Sequence, residues 1–214
     1  MSASQKSDLT NARRSQILEA TARVISRRGA ERTRLVDVAH SAGVSIGLIQ
    51  HYFKTRDALL AATFVFFNDA FIGDWEATAE TEDDPARRLL SLLRLSVFER
   101  DAWRDIAWPI WIEFWSLCSR DKTFRNQYSS IYKKWREPFN DAIIEGMATG
   151  QFRSTSTSED IVDRLTAQIE GLRVRALLEP ERMPRVRMFE SVVRTAEQEL
   201  NCLLDTPAAA PVSG

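Results

Sequence analysis

Histidine and cysteine are scarce in this chain of 214 residues, which contains only two of each. Both histidines, His40 and His51, lie in its first 60 residues, so the remainder holds no imidazole for acid–base catalysis. Cys118 and Cys202 have neither the spacing of a metal site nor that of a disulfide framework, and they suit a reducing cytoplasm. No glycine-rich phosphate loop is present. We therefore expect no enzyme activity, no metal and no cofactor.

The sequence also lacks β-type alternation, internal repeats and any apolar run near the roughly 20 residues that a membrane helix needs. It carries no secretory signal pattern. Apolar residues at helical spacing recur from one end to the other, and hydrophobic residues make up 44% of the chain. These features predict a soluble cytoplasmic protein of the all-α class with about nine helices and no membrane contact.

Charge is unevenly distributed, although the formal net charge of the whole chain is only −1. Residues 1–60 contain ten Lys or Arg and five Asp or Glu, whereas the remainder contains 19 basic and 25 acidic residues. A basic head on an acidic body is expected when only the head meets nucleic acid. Chance clustering of charge is the alternative explanation.

The segment from Thr33 to Leu60 has the pattern of two short helices joined by a tight turn and followed by a third helix. Gly43 suits a turn that needs positive φ, and Ser45 is a good N-cap for the second helix. Ile49 and Phe53 face inward in that helix. This is the pattern of a helix-turn-helix, whose second helix enters the DNA major groove. An ordinary helical corner in a protein core has the same spacing.

The run AGVSIGLIQHYFKTRDALL, residues 42–60, resembles the DNA-binding domain of the TetR family of transcriptional regulators. Residues 14–29 and 33–39 resemble the first two helices of that domain. Residues 49–53 are most similar to the choline-responsive BetI-type repressors, although Gln50 stands where the wider family customarily has Tyr. The resemblance implies a three-helix DNA-binding domain, a helical ligand-binding and dimerisation domain, and a homodimer formed by the last two helices. Without the resemblance, those helices equally well complete the core of a monomer.

This interpretation gives the chain four segments: a disordered tail over 1–10, a helix-turn-helix domain over 11–56, a ligand-binding and dimerisation domain over 57–204, and a flexible tail over 205–214. A long helix from Asp57 to about residue 78 is expected to act as a lever between the two domains.

The outward residues of the second motif helix are the expected DNA contacts. Gln50 is expected to read a base, while Tyr52 and Lys54 hold the phosphate backbone. The full predicted set is Thr33, Ser45, Gln50, His51, Tyr52, Lys54 and Arg56, with Thr33 touching phosphate and Arg56 holding the backbone.

Four of the six tryptophans lie between residues 103 and 115. Tryptophan faces attract cations, and aromatic cages recognise quaternary ammonium groups. The predicted ligand site therefore contains Trp108, Trp111, Glu113, Trp115, Tyr132 and Glu170, with a quaternary amine or an aromatic compound as the effector. A plain aromatic core with Glu113 at its exposed edge is the alternative.

Two functions are compatible with these features. The first is a transcriptional repressor that a small-molecule effector releases from a palindromic double-stranded DNA operator. The second is a helical protein-interaction or ligand-binding module that does not bind DNA.

Overall fold

The computed structural model describes residues 3–98 and 106–204, and within them it contains nine α-helices and no strand. The prediction of an all-α fold is confirmed. The helices are α1 (Ala3–Arg28), α2 (Leu35–Ala42), α3 (Ile46–Phe53), α4 (Arg56–Thr81), α5 (Pro85–Val97), α6 (Ala107–Arg120), α7 (Lys122–Ala148), α8 (Ser158–Leu178) and α9 (Arg185–Leu200).

The N-terminal helix is longer than expected. α1 begins at Ala3, whereas the small polar residues at the start of the chain predicted a disordered tail over residues 1–10. The segment 3–12 contains no Gly or Pro and includes Ala, Gln, Lys and Leu, so nothing in it stops a helix from extending toward the terminus. The predicted C-terminal tail, residues 205–214, lies outside the described residues.

The described residues form two compact units. The first contains residues 3–71 and 106–131, and the second contains residues 72–98 and 132–204. This division does not follow the predicted domain limit at residue 56, because α6 packs against α1 and therefore belongs with the helix-turn-helix. The functional domain limits remain a prediction.

α1 supports two apolar clusters in the first unit. Its residues Ile17 and Leu18 pack with Val38 of α2 and with Ile49 and Phe53 of α3. Further along α1, other side chains pack with α4 and α6, in a cluster that includes Ala22, Ile25, Phe64, Phe67, Ile110 and Phe114. The helix-turn-helix is thus built on a helix that also contacts the tryptophan-rich segment.

α4 departs from one expectation. Over Arg56–Ala77 it is long and apolar enough to cross a membrane by length and composition alone, although no such run was expected. Half of this stretch is buried inside the structure, and Phe64 and Phe67 belong to the core of the first unit. A core helix has this composition because it must be apolar around most of its circumference.

In the second unit, α5 and α8 both pack against α9. After α7 the chain turns back at Gly150, and the ring of Phe152 becomes buried against Gly146. The amide of Phe152 donates to the Gly146 carbonyl over 2.8 Å, which fixes the reversal.

We predict that Gly146→Ala destabilises the protein by about 1–3 kcal/mol, because the added Cβ would overlap the ring of Phe152, which is 2% exposed. Chemical denaturation measures the change. Gly171→Ala in α8 is the matched control, because a Cβ there meets open space and should be neutral or stabilising. Equal stabilities for the two variants would contradict the packing argument.

Candidate functional site

A left-handed glycine makes the turn between α2 and α3. Gly43 has φ 63° and ψ 36°, and its amide donates to the carbonyls at the end of α2. The amide of Val44 donates to Ala39 O over 3.0 Å. Ser45 then caps α3, since its hydroxyl oxygen accepts from the Leu48 amide at 3.2 Å. The predicted positive φ of Gly43 and the predicted N-cap role of Ser45 are confirmed.

α3 buries one face and exposes the other. Ile49 and Phe53 are buried, while Gln50, His51 and Lys54 are exposed. Tyr52 is half-buried, and its ring meets the His51 ring edge-on at 5.5 Å. The structure thus places four of the predicted DNA-contacting side chains on one short helix or at its end.

Lys54 ends α3 in an unusual conformation. Its φ is 55°, and its amide donates to Gln50 O over 3.0 Å. Thr55 follows and caps α4, because its hydroxyl oxygen accepts from the Ala58 amide at 3.1 Å. A non-glycine residue with positive φ has no reliable sequence signal, so this conformation was not predicted.

The side chain of Thr33 is buried, although it was expected to contact a phosphate. Its side chain is 1% exposed, and its hydroxyl donates to the Gly29 carbonyl over 2.9 Å. A buried hydroxyl gains more from an internal acceptor than it would from remaining unpaired. Thr33 therefore fastens the connection between α1 and α2 and does not present its side chain at the surface.

Arg56 binds the backbone of the same connection between α1 and α2. Its guanidinium donates to the carbonyls of Thr33 at 2.8 Å and Glu31 at 3.1 Å, and also to the Ala30 carbonyl. A further contact, 3.2 Å long, reaches Asp57. The planar guanidinium suits this task because it presents several donors at fixed angles. Its principal role in the structure is to hold α4 to the α1–α2 connection.

Glu113 of α6 holds the connection from the other direction. Its carboxylate accepts from the Ala30 amide over 2.7 Å, and a Cβ on Gly29 would lie 3.2 Å from its Oε1 atom. Arg120 of α6 also pairs with Glu31 over 2.5 Å. Glu113 and Ala30 are 83 positions apart, so no local pattern predicts their contact. This predicted ligand residue has a structural partner in the head.

The three described tryptophans of α6 lie together and are all half-buried. The ring centroids of Trp111 and Trp115 are 6.4 Å apart, and those of Trp108 and Trp115 are 6.5 Å apart. The planes are tilted by 40° and 53°. The three indole rings therefore form one aromatic cluster on α6. Trp103 lies outside the described residues.

A second aromatic group lies in the second unit. The Tyr132 ring is 5.6 Å from that of Trp135, which in turn lies 5.8 Å from Trp75. The Tyr132 hydroxyl is 3.2 Å from Thr166 Oγ1, and the guanidinium of Arg136 lies 5.4 Å from the Tyr132 ring centroid. Trp75 and Trp135 were not predicted as site residues, because their helical spacing matches that of ordinary core positions.

Glu170 of α8 lies within electrostatic reach of Tyr132. Burial raises the pKa of its carboxyl to about 7, and the nearby Arg173 opposes the shift. Burial also raises the pKa of Tyr132, to which the Glu170 charge adds. Arg173 is itself buried and donates to the Ser96 carbonyl. The charge of Glu170 therefore acts on Tyr132, and both are predicted ligand residues.

A basic head with an exposed face on the second helix of a helix-turn-helix defines the class of DNA-binding transcriptional regulators. Two family models match the chain: that of the bacterial regulatory proteins of the TetR family over residues 17–63, and that of the BetI-type transcriptional repressor C-terminal domain over residues 85–201. The chain belongs to the TetR family. It is a DNA-binding transcriptional regulator with a BetI-type C-terminal domain, and not an enzyme.

Individual relatives agree with this assignment. The chain is 28% identical over 197 residues to the HTH-type transcriptional regulator PksA of Bacillus subtilis, covering 91% of this chain and 92% of that protein. It is 32% identical over 181 residues to the HTH-type transcriptional regulator BetI of Burkholderia thailandensis, covering 78% and 82%. A transcriptional regulator from Saccharomonospora viridis, solved in complex with choline, superposes with a TM-score of 0.79 at 25% identity, covering 87% of this chain and 96% of that one.

We predict that Glu170→Gln alters the pH dependence of stability. Because the folded pKa lies near 7 and the ordinary value is 4.5, the folded state holds a proton that the unfolded chain releases between these pH values. The stabilisation that this bound proton gives the folded state is therefore lost as pH rises from about 4.5 to about 7. The variant should gain in melting temperature relative to the wild type between pH 5 and pH 8.

Glu190→Gln is the matched control, since it removes an exposed carboxylate from α9. It should follow the wild-type pH profile. Identical profiles for the Glu170 and Glu190 variants would contradict the assignment of the raised pKa to Glu170.

Proposed function

We propose that this protein is a homodimeric repressor that binds a palindromic operator and leaves it when a small-molecule effector binds. The observation that carries the proposal is the outward face of α3, where Gln50, His51 and Lys54 are exposed while Ile49 and Phe53 fix the helix to the core. On this proposal the protein is soluble and acts on DNA in the cytoplasm.

The side chains of this face divide by chemistry. Gln50 carries both a donor and an acceptor, and therefore matches the N6 and N7 edge of adenine in the major groove. Lys54 supplies a mobile positive charge suited to a phosphate. Tyr52 and His51 contribute polar atoms beside these two. Ser45 contributes by capping the helix that carries them.

A dimer is supported by the two C-terminal helices. Leu178 at the end of α8 and Val186 in α9 are exposed apolar residues, and Leu177 is a third. Closed two-fold dimers are the commonest symmetric assembly and explain palindromic operators, whose half-sites lie roughly 34–36 Å apart. Sedimentation in solution is expected to give twice the chain mass of 24.4 kDa.

The effector we propose is a quaternary amine. Its support comes from the tilted indole rings of α6, from the ring of Tyr132 near the Glu170 carboxyl, and from the choline bound to the Saccharomonospora regulator. An effector lowers DNA affinity only by the difference between its affinities for the two forms. Above pH 7 the ionised Glu170 favours a cation in its neighbourhood.

We predict that Lys54→Gln weakens binding to all duplexes alike, because a phosphate contact carries no base information. The slope of log affinity against log salt should fall by about one for each half-site. Fluorescence anisotropy at several salt concentrations measures both quantities. Lys133→Gln is the control, since it removes the same charge from an exposed position of α7. Equal salt slopes for the two variants would refute the contact.

We further predict that choline raises the melting temperature of the protein and reduces its affinity for the operator. The thermal screen should include betaine, polyamines and aromatic acids, which separate the charge of the ligand from its aromatic character. No response to any quaternary amine would refute the proposed effector class and leave DNA binding untouched.

A further inference from the structure

The first turn of α3 contains two features that the proposed contacts leave unused. Ile46 opens the helix and is 40% exposed, and it is the only exposed large apolar side chain among the eight described residues of α3. Gly47 follows it. Neither residue contributes to the buried face made by Ile49 and Phe53.

The chain itself gives no reason for the glycine. A Cβ built on Gly47 would meet only the Ser45 hydroxyl, at 3.9 Å, and Gly47 is not among the glycines with positive φ. Glycine inside a helix costs stability relative to alanine, because the unfolded chain loses more freedom. Open space around a helical glycine also occurs at Gly171. Gly47 differs in its place, because in the first turn of α3 the missing side chain leaves room for a ligand outside the polypeptide. Close approach of the backbone to a ligand is the usual reason.

The ligand at this position is set by the kind of helix. The N-terminal residues of the second helix of a helix-turn-helix contact base edges in the major groove. Thymine is the only base with an apolar group there, its C5-methyl, and an apolar side chain reads it by direct contact. A glycine beside the apolar side chain lets the helix come close enough for that contact.

We infer that Ile46 determines specificity by packing on a thymine methyl group, with Gly47 providing the clearance. The inference rests on the proposed function and specifies the bases that α3 recognises. Gln50 lies four residues after Ile46 and so neighbours it on the same face, about 5–6 Å away. Base pairs rise about 3.4 Å. The thymine read by Ile46 and the adenine read by Gln50 should therefore be about one or two base-pair steps apart.

The experiment starts with operators selected from random duplexes by the intact protein. Each thymine is then replaced by deoxyuridine, which removes only the methyl group, and affinity is measured by fluorescence anisotropy. For the wild type, one thymine in each half-site should stand out, with a loss of about fourfold, as expected for removing one methyl group from a dry contact.

Two variants test the residues. Ile46→Ala should bind the thymine and deoxyuridine duplexes equally well. Val36→Ala, which truncates an exposed apolar side chain of α2, should keep the wild-type preference. Gly47→Ala should melt at the same or a higher temperature while binding more weakly, because the added methyl group occupies the clearance. This opposition separates loss of contact from loss of folding.

The three ways to fail are distinguishable. If no duplex is selected, the proposed function falls, and this inference falls with it. If duplexes are selected but no thymine methyl matters, or if Ile46→Ala keeps the methyl preference, the inference alone is overturned. Undiminished binding by Gly47→Ala would likewise overturn the role given to the glycine.

Discussion

The placement of the helix-turn-helix depends on the backbone polar groups of the short connection between α1 and α2. Polar groups partly withdrawn from water must find partners, and here the partners come from distant helices. Arg56 of α4 donates hydrogen bonds to three carbonyls, and the carboxylate of Glu113 in α6 accepts one from the amide of Ala30. Two helices outside the helix-turn-helix, α4 and α6, thus bind the same connection that leads into it. The connection that precedes α2 is therefore held in part by α6.

The polar residues of the head consequently serve two separate purposes. Thr33 and Arg56 satisfy the backbone and hold the motif in its position. The side chains of Gln50, His51 and Lys54 are exposed and do not hold the backbone in this way. The side chains proposed to recognise DNA are therefore separate from those that hold the fold together. The clearance proposed at Gly47 would serve the surface that recognises DNA.

Local signals in the sequence predicted the motif well. Gly43 and Ser45 act within four residues of themselves, so their roles in the turn and the N-cap could be predicted from the sequence. The roles of Glu113 and Thr33 were not predicted. Glu113 bonds Ala30, 83 positions away, and the burial of Thr33, whose own acceptor Gly29 is only four residues away, depends on the packing around it. The aromatic group around Trp135 was missed for a related reason. Trp135 lies three residues from Tyr132 on α7, but its other partner Trp75 belongs to α4, and periodicity predicts a buried face without indicating what that face contacts.

The stacking of Arg136 on Tyr132 has a consequence for any cation that enters that region. The ring face nearest Arg136 already holds a positive group that is tethered to the same helix. A tethered group has an effective concentration far above that of a free metabolite. The protein therefore contains its own competitor, and an incoming ammonium group must either use the opposite face or displace a guanidinium that also pairs with Asp163. Such competition lowers the apparent affinity of that ring face for a free cation by a constant factor.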